Sequence, residues 1–424
     1  MPSHFAELFC GVPVLFGMCG PALSEGFAIK HQSGTGEGIA YAGTAATAHD
    51  ASAVFFNPAA LTQLQGNQFV GIANFIVPVT KLKRSAGTLP AALGGGPAGG
   101  VSTADDAGLD AIVPVAYASW SVGKAVRLGI GVNSPWGLAT DYDEGWQGRF
   151  KGVTSKLKTV NVTPAAAYRV ADWLSVGAGV QVQYADVRLT NAILTTTGEG
   201  FIDLAGDDVG VGWTAGFVVE PRKGSRLGVG YRSEIDQTFT GTARLAPGVG
   251  PSMDLDFRGD LTFPETVRIG VSQDLPSGFA VHFGAVWRRW SRVEQQQAVF
   301  ETPVAALAGA RDVTVRLDWA NTWFFSAGLT YTPTPGWMLR AGIGFDESPI
   351  PDKTREPRIP GADGKAIAFG GSYRVTDAVD LTFAYTHVFV DDSSINLADP
   401  LSGALTAQYE SHIDTFVVQA RVQF

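Results

Sequence analysis

The sequence predicts an all-β fold, a transmembrane antiparallel β-barrel of about fourteen strands. Three observations carry this. Segments about ten residues long alternate apolar with polar or glycine side chains. Short turns alternate with long connections along the chain. The last strand ends on its apolar face with an aromatic residue, Phe424.

The last strand shows the pattern most plainly. Phe416, Val418, Ala420, Val422 and Phe424 share one face; Thr415, Val417, Gln419, Arg421 and Gln423 share the other. A closed barrel in a bilayer needs lipid-compatible side chains outside, water-compatible ones inside and aromatics at the boundary. The alternation recurs at Val126–Val132, Leu174–Tyr184, Phe279–Trp287 and Leu381–Phe389. Ten residues in a tilted strand suffice to cross the apolar layer. Glycine recurs on the inward parity, as at Gly129, Gly131, Gly177 and Gly179, which leaves room in the lumen.

The connections fit the same layout. Gly123-Lys124, Ala171-Asp172, Pro221–Gly224, Pro276-Ser277, Pro333–Pro335 and Thr376-Asp377 read as short periplasmic turns. Val79–Asp110, Pro135–Lys156, Thr190–Asp208, Arg244–Pro251, Gln296–Asp312, Asp346–Lys365 and Asp391–Ser411 read as long outer loops. Tyr168, Trp173, Trp337, Tyr373 and Phe424 fall near strand ends, where a periplasmic aromatic girdle belongs.

Composition excludes several classes. The chain has 424 residues, only 17% of them charged, 52 glycines and a net charge of −9. Aromatics are too frequent for disorder, and no basic patch suits nucleic acid. Cys10 and Cys19 both lie near the start, so a chain trimmed there has no thiol nucleophile and no thiolate metal site. The six histidines lack metal-ligand spacing, and no G-x-S-x-G occurs. We therefore expect neither cofactor nor metal and no catalytic residues; a lipid hydrolase and an open porin are the alternative barrels.

Residues 1–24 read as a signal peptide. Phe9–Leu23 is apolar and ends in small residues, although no Lys or Arg precedes it. No stretch is long enough for a transmembrane helix. Residues 25–66 are rich in Gly and Ala and lack period-two alternation. Asn57-Pro58-Ala59 starts a helical turn, since Asn can cap a free backbone N–H and proline has none to lose. This region fits either a plug inside the barrel or a periplasmic extension. Residues 67–424 form the barrel.

At this point the chain can be matched to a family. It resembles the FadL-type outer-membrane channels for long-chain fatty acids and aromatic hydrocarbons. The likeness is densest over Glu25–Leu64, with its Asn57-Pro58-Ala59, and recurs at Gly137–Thr140, Tyr231–Glu234, Pro264-Glu265, Trp290-Ser291 and Gly344–Pro349. The resemblance implies a fourteen-stranded barrel with residues 25–66 as a lumenal hatch. It implies passive uptake of hydrophobic molecules, most directly fatty acids, with aromatic hydrocarbons as the alternative. It also implies sideways release through a kinked third strand, which here would be Ser134-Pro135-Trp136-Gly137. Proline removes a ladder donor there.

Arg127, Arg232, Arg268, Arg288 and Arg340 have inward parity, with Glu234 nearby, and read as a structural charge network or a contact for a substrate carboxylate. Glu265 has lipid parity, so a bulge at Pro264 is expected to turn it inward. The third and fourth outer loops look too short for a helical capture groove; Leu89–Leu93 and Ala305–Ala308 offer apolar loop surface instead. The expected partners are a hydrophobic solute, outer-membrane lipid and lipopolysaccharide, and the barrel-assembly machinery acting on the strand ending in Phe424. The expected state is a monomer in a Gram-negative outer membrane.

Overall fold

In a computed structural model, residues 26–304, 309–399 and 402–424 are described. The signal-peptide reading of residues 1–24 and the apolar run 305–308 lie outside them. Among these residues nineteen strand segments make one closed antiparallel sheet, because β1 pairs with both β2 and β19. They are β1 (Gln68–Gly87), β2 (Ala111–Val122), β3 (Val126–Asn133), β4 (Gly137–Asp141), β5 (Thr154–Ala171), β6 (Leu174–Thr195), β7 (Gly198–Arg222), β8 (Ser225–Arg232), β9 (Ile235–Ala246), β10 (Met253–Phe263), β11 (Thr266–Asp274), β12 (Phe279–Arg288), β13 (Gln295–Val304), β14 (Ala310–Arg316), β15 (Thr322–Tyr331), β16 (Trp337–Asp346), β17 (Gly364–Arg374), β18 (Val379–Asp399) and β19 (Gly403–Gln423). Five crossings are interrupted, at β3/β4, β8/β9, β10/β11, β12/β13 and β14/β15, so the segments form fourteen crossings.

The wall obeys the alternation. On β19, Phe416, Val418 and Val422 are exposed, whereas Thr415, Val417 and Gln419 are buried. Tyr168, Trp173, Trp337, Tyr373 and Phe424 are all exposed at the short-turn end.

Several of the long outer loops are not loops. β6 and β7 continue to a turn at 196–197, and β18 runs on to Asp399 opposite Gly403 of β19, so the barrel rises beyond the membrane as a β-extension. The hydrophobic phase inverts there. On β11, Ile269 and Val271 face out and Arg268 and Ser272 face in; on β10, Asp254, Asp256 and Asp260 face out and Phe257 faces in. Water replaces lipid outside the wall, so the apolar face turns inward. A pattern search keyed to lipid-facing apolar residues loses the strand at that inversion.

Residues 26–66 fill the membrane-level lumen with one-turn helices at Gly34–Glu37 and Ala53–Phe56 and a 3-10 helix at Pro58–Gln63. Wall glycines make room: a Cβ at Gly228 would strike the Ala45 carbonyl, and one at Gly216 would strike the Asn57 side chain.

Candidate functional site

The hatch body is fixed by directed hydrogen bonds. Asn57 is fully buried and extended, and its Oδ1 accepts from Ala59 N–H at 3.1 Å. Its Nδ2 donates to the carbonyls of Ala45 (2.6 Å) and Phe217 (3.0 Å), tying two hatch turns to β7. Pro58 needs no N–H partner at its position. Ala59 is wholly enclosed, beside Gly177 on β6. Arg127 donates to the carbonyls of Leu64 and Gly66 at the periplasmic end. Gln419 on β19 accepts from Gly34 N–H and donates to Asp50, each at 2.8 Å.

The third crossing is interrupted between β3 and β4, at 134–136. The β2–β3 ladder ends at Ala116↔Val132, and bridging resumes at Gly108↔Thr140. The backbone groups freed at the break bond to the start of the hatch instead. Ile29 N–H donates to the Pro135 carbonyl (2.9 Å), Gly137 N–H to the Phe27 carbonyl (2.8 Å) and Gln32 Nε2 to the Ser134 carbonyl (2.7 Å). On the other side, Trp136 N–H donates to Thr159 Oγ1 at 3.1 Å. The hatch therefore closes a wall that its own barrel leaves open.

Phe27 stands in an aromatic cage beside this break. Its ring lies 4.8 Å from Trp290, 5.4 Å from Trp319 and 5.8 Å from both Trp136 and Phe263. A cavity of about 20 Å³ adjoins the cage, lined among others by Ile29, Trp136, Gln181, Arg232, Arg268 and Arg288. It holds at most a water-sized occupant, so any larger solute must displace hatch residues. Arg232 and Arg268 stack on Phe55, at 4.4 and 4.8 Å from its ring centre. Buried Arg232 leaves its Nη1 without a hydrogen-bond partner among the described residues.

The candidate charges thus divide into groups. Arg232, Arg268 and Arg288 share the cavity. Arg127 caps the hatch at the other end. Arg340 sits apart, donating to Ser372 Oγ at 2.6 Å. Glu234 and Glu265 do not join the cavity arginines. Pairing does break at 233–234 and 264–265, but Glu265 is not turned inward. It accepts from Tyr231 Oη at 2.6 Å and pairs with Arg289 at 3.1 Å, while Glu234 pairs with Arg292 at 2.8 Å. The turn after β12 brings these cations to the carboxylates, removing the penalty that would have driven Glu265 inward. Sequence reasoning missed Phe27, Gln181 and Trp319, and also the half-buried Lys30–Asp346 ion pair at 2.6 Å. The available signal was Phe27 itself, a lone aromatic at the edge of a small-residue segment. Among the described residues, no three His, Cys, Asp or Glu side chains converge as a metal site.

The sequence profile of the outer membrane protein transport protein family (OMPP1/FadL/TodX) matches residues 17–424. A long-chain fatty acid transport protein from Salmonella typhi is 26% identical over 400 residues, covering 86% of this chain and 88% of that protein. The crystal structure of a Pseudomonas aeruginosa FadL homologue superposes with a TM-score of 0.85 at 22% identity, covering 94% of this chain and 99% of the other. The toluene transporter TodX of Pseudomonas putida gives 0.72 at 17% identity, covering 95% and 100%.

Proposed function

The chain belongs to the OMPP1/FadL/TodX family of outer-membrane transport proteins, and from that premise we propose that its cargo is long-chain fatty acids released sideways into the bilayer. The coarser statement needs no proposal: it is a Gram-negative outer-membrane channel for hydrophobic molecules and not an enzyme.

The observation that carries the fatty-acid reading is the cavity, where Arg232, Arg268 and Arg288 meet the aromatic cage around Phe27. Guanidinium groups suit a carboxylate, and the rings suit an acyl chain. Lateral release follows from solvation. Each CH₂ withdrawn from lipid to water costs roughly 0.8 kcal/mol, so an exit into the bilayer is favoured over one into the periplasm. In this reading Ser134, Pro135, Trp136 and Gly137 form the exit, which opens when Phe27–Gln32 withdraws. Asn57, Pro58 and Ala59 hold the rest of the 25–66 hatch in the 67–424 barrel. Residues 1–24 are removed as a signal peptide. Lipopolysaccharide, the assembly machinery acting at Phe424 and a monomeric state complete the proposal.

The test is uptake of radiolabelled oleate and toluene by cells lacking their own transporter. Arg232→Met is expected to lower oleate uptake roughly tenfold, the loss of one charge-assisted hydrogen bond, and to spare toluene. Equal loss of both would refute carboxylate recognition. The aromatic cage favours a second reading, aromatic hydrocarbon uptake, which toluene transport without oleate transport would establish.

A further inference from the structure

Residues 347–363 run between β16 and β17 across the outer mouth. Pro349, Pro351, Pro357 and Pro360 interrupt the segment, so it cannot present a continuous row of N–H donors to a ladder. It is held by side chains and isolated bonds to three separate parts of the wall. Near its start, Ala320 N–H donates to the Pro349 carbonyl (2.9 Å) and Thr354 Oγ1 to the Leu317 carbonyl (2.6 Å), just below β14. Near its end, Ser393 Oγ donates to the Pro360 carbonyl on the β18 side, where Arg355 Nη1 also reaches Ser394 O at 3.2 Å.

Between those anchors the segment crosses to the far wall. Tyr142 Oη donates to the Pro357 carbonyl at 2.8 Å and Thr140 Oγ1 to the Arg358 carbonyl at 3.2 Å. The Arg358 guanidinium donates to Ser155 Oγ at 2.9 Å and to Asn191 Oδ1 at 2.8 Å. Underneath, Ile350 and Ile359 are buried in the same apolar cluster as Phe27, Trp136, Trp290 and Trp319. The segment is the roof of the cage.

We propose that 347–363 is a strap closing the extracellular mouth, and that solute is admitted when its Arg358 span, between the two anchors, releases β4, β5 and β6. The proposal rests on the transport reading for its consequence, but not for its geometry. The two anchored ends act as hinges. The Arg358 span is the part that lets go, because its partners, Thr140, Ser155 and Asn191, are polar groups that water can satisfy on release. Glu356 adds a bias. It is half-buried beside Arg358 and Lys151, and burial pushes its carboxyl up to about 7 against the lowering effect of those two cations.

An ideal Cβ at Gly152 lies 3.0 Å from Arg358 Cγ, which places positions 152 and 358 within disulfide reach. The test is the double variant Gly152→Cys with Arg358→Cys, made with Cys10 and Cys19 replaced by serine. Oxidised, it is expected to lose oleate and toluene uptake at least roughly tenfold; reduced, it should carry them at or above the wild-type rate. Equal uptake in both states would overturn the strap. A second readout needs no transported solute: a Cys placed at Ala28, beneath the strap, is exposed to a polar maleimide added outside. Arg358→Ala should speed its labelling roughly fivefold, and unchanged labelling would overturn the proposal. Faster labelling without uptake of either solute would uphold the strap and sink the transport reading instead.

Discussion

The two ends of the lumenal segment are held by different forces. The body, from Gly34 to Gln63, is fixed by directed polar bonds to the wall: Asn57 to Phe217, Thr62 to Ser175, Gly34 and Asp50 to Gln419. Phe27 is enclosed by rings at 4.8–5.8 Å, contacts that any apolar solute can replace. Breaking a bond of the first kind inside the barrel leaves a buried donor or acceptor without a partner, at about 1–3 kcal/mol each. Displacing the Phe27 ring exchanges one apolar contact for another, and the hydrogen bonds that Phe27, Ile29 and Gln32 make at this end go to the open break at 134–137 rather than to an intact ladder. A plug built this way keeps its body while yielding at one end.

Amide hydrogen exchange of the hatch body ranks the ways to break this contrast. The largest effect is expected for Gly228→Val, whose Cβ would strike the Ala45 carbonyl. The body should lose protection altogether, and planar bilayers should show steady conductance; a protected body with no conductance would mean the wall yields instead. Asn57→Ala comes next. It removes bonds to Ala45, Phe217 and Ala59, and a loss of about 2 kcal/mol should speed exchange of 45–63 about thirtyfold. Phe27→Ala should leave exchange of 45–63 within about twofold while opening the cage to hydrophobic dyes. If Phe27→Ala frees the body as much as Asn57→Ala does, the two ends are one unit and the contrast fails.

The smallest effect concerns the strap above the cage. With Glu356 raised from 4.5 to about 7 in the closed form, closed protein binds the extra proton between those values. Closure is then most favoured below about pH 4.5 and is progressively lost as pH rises to about 7. Labelling beneath the strap, taken as a ratio to that of an exposed reference cysteine so that thiol ionisation cancels, should therefore rise several-fold from pH 5 to pH 8, and that ratio should be flat in Glu356→Gln. Lys151, which faces Glu356 and Asp399, must stay charged for that comparison.

Much of this molecule was legible in one dimension. The lipid-facing set follows from a period of two, because a strand with lipid on one side has no other way to place Phe416 and Val418 out and Gln419 in. The break at Pro135 was legible because proline cannot donate to the ladder. The helical start at Asn57 was legible because capping is a local bond.

Other features arose only from contacts distant in sequence. Parity gave the five arginines one status, yet Arg232, Arg268 and Arg288 meet at a cavity while Arg127 and Arg340 hold other structures. Glu265 stayed outside because Arg289, 24 residues away, reaches it. The barrel extension was hidden by the change of solvent along one strand. The closing of the third crossing by Phe27, Ile29 and Gln32 was equally invisible, since those residues lie about a hundred positions from the groups they satisfy. Alternation and capping are written in neighbours, and so the sequence alone determined them. Which buried charge or open backbone group finds which partner depends on closing the barrel around the chain, and that only the tertiary structure decided.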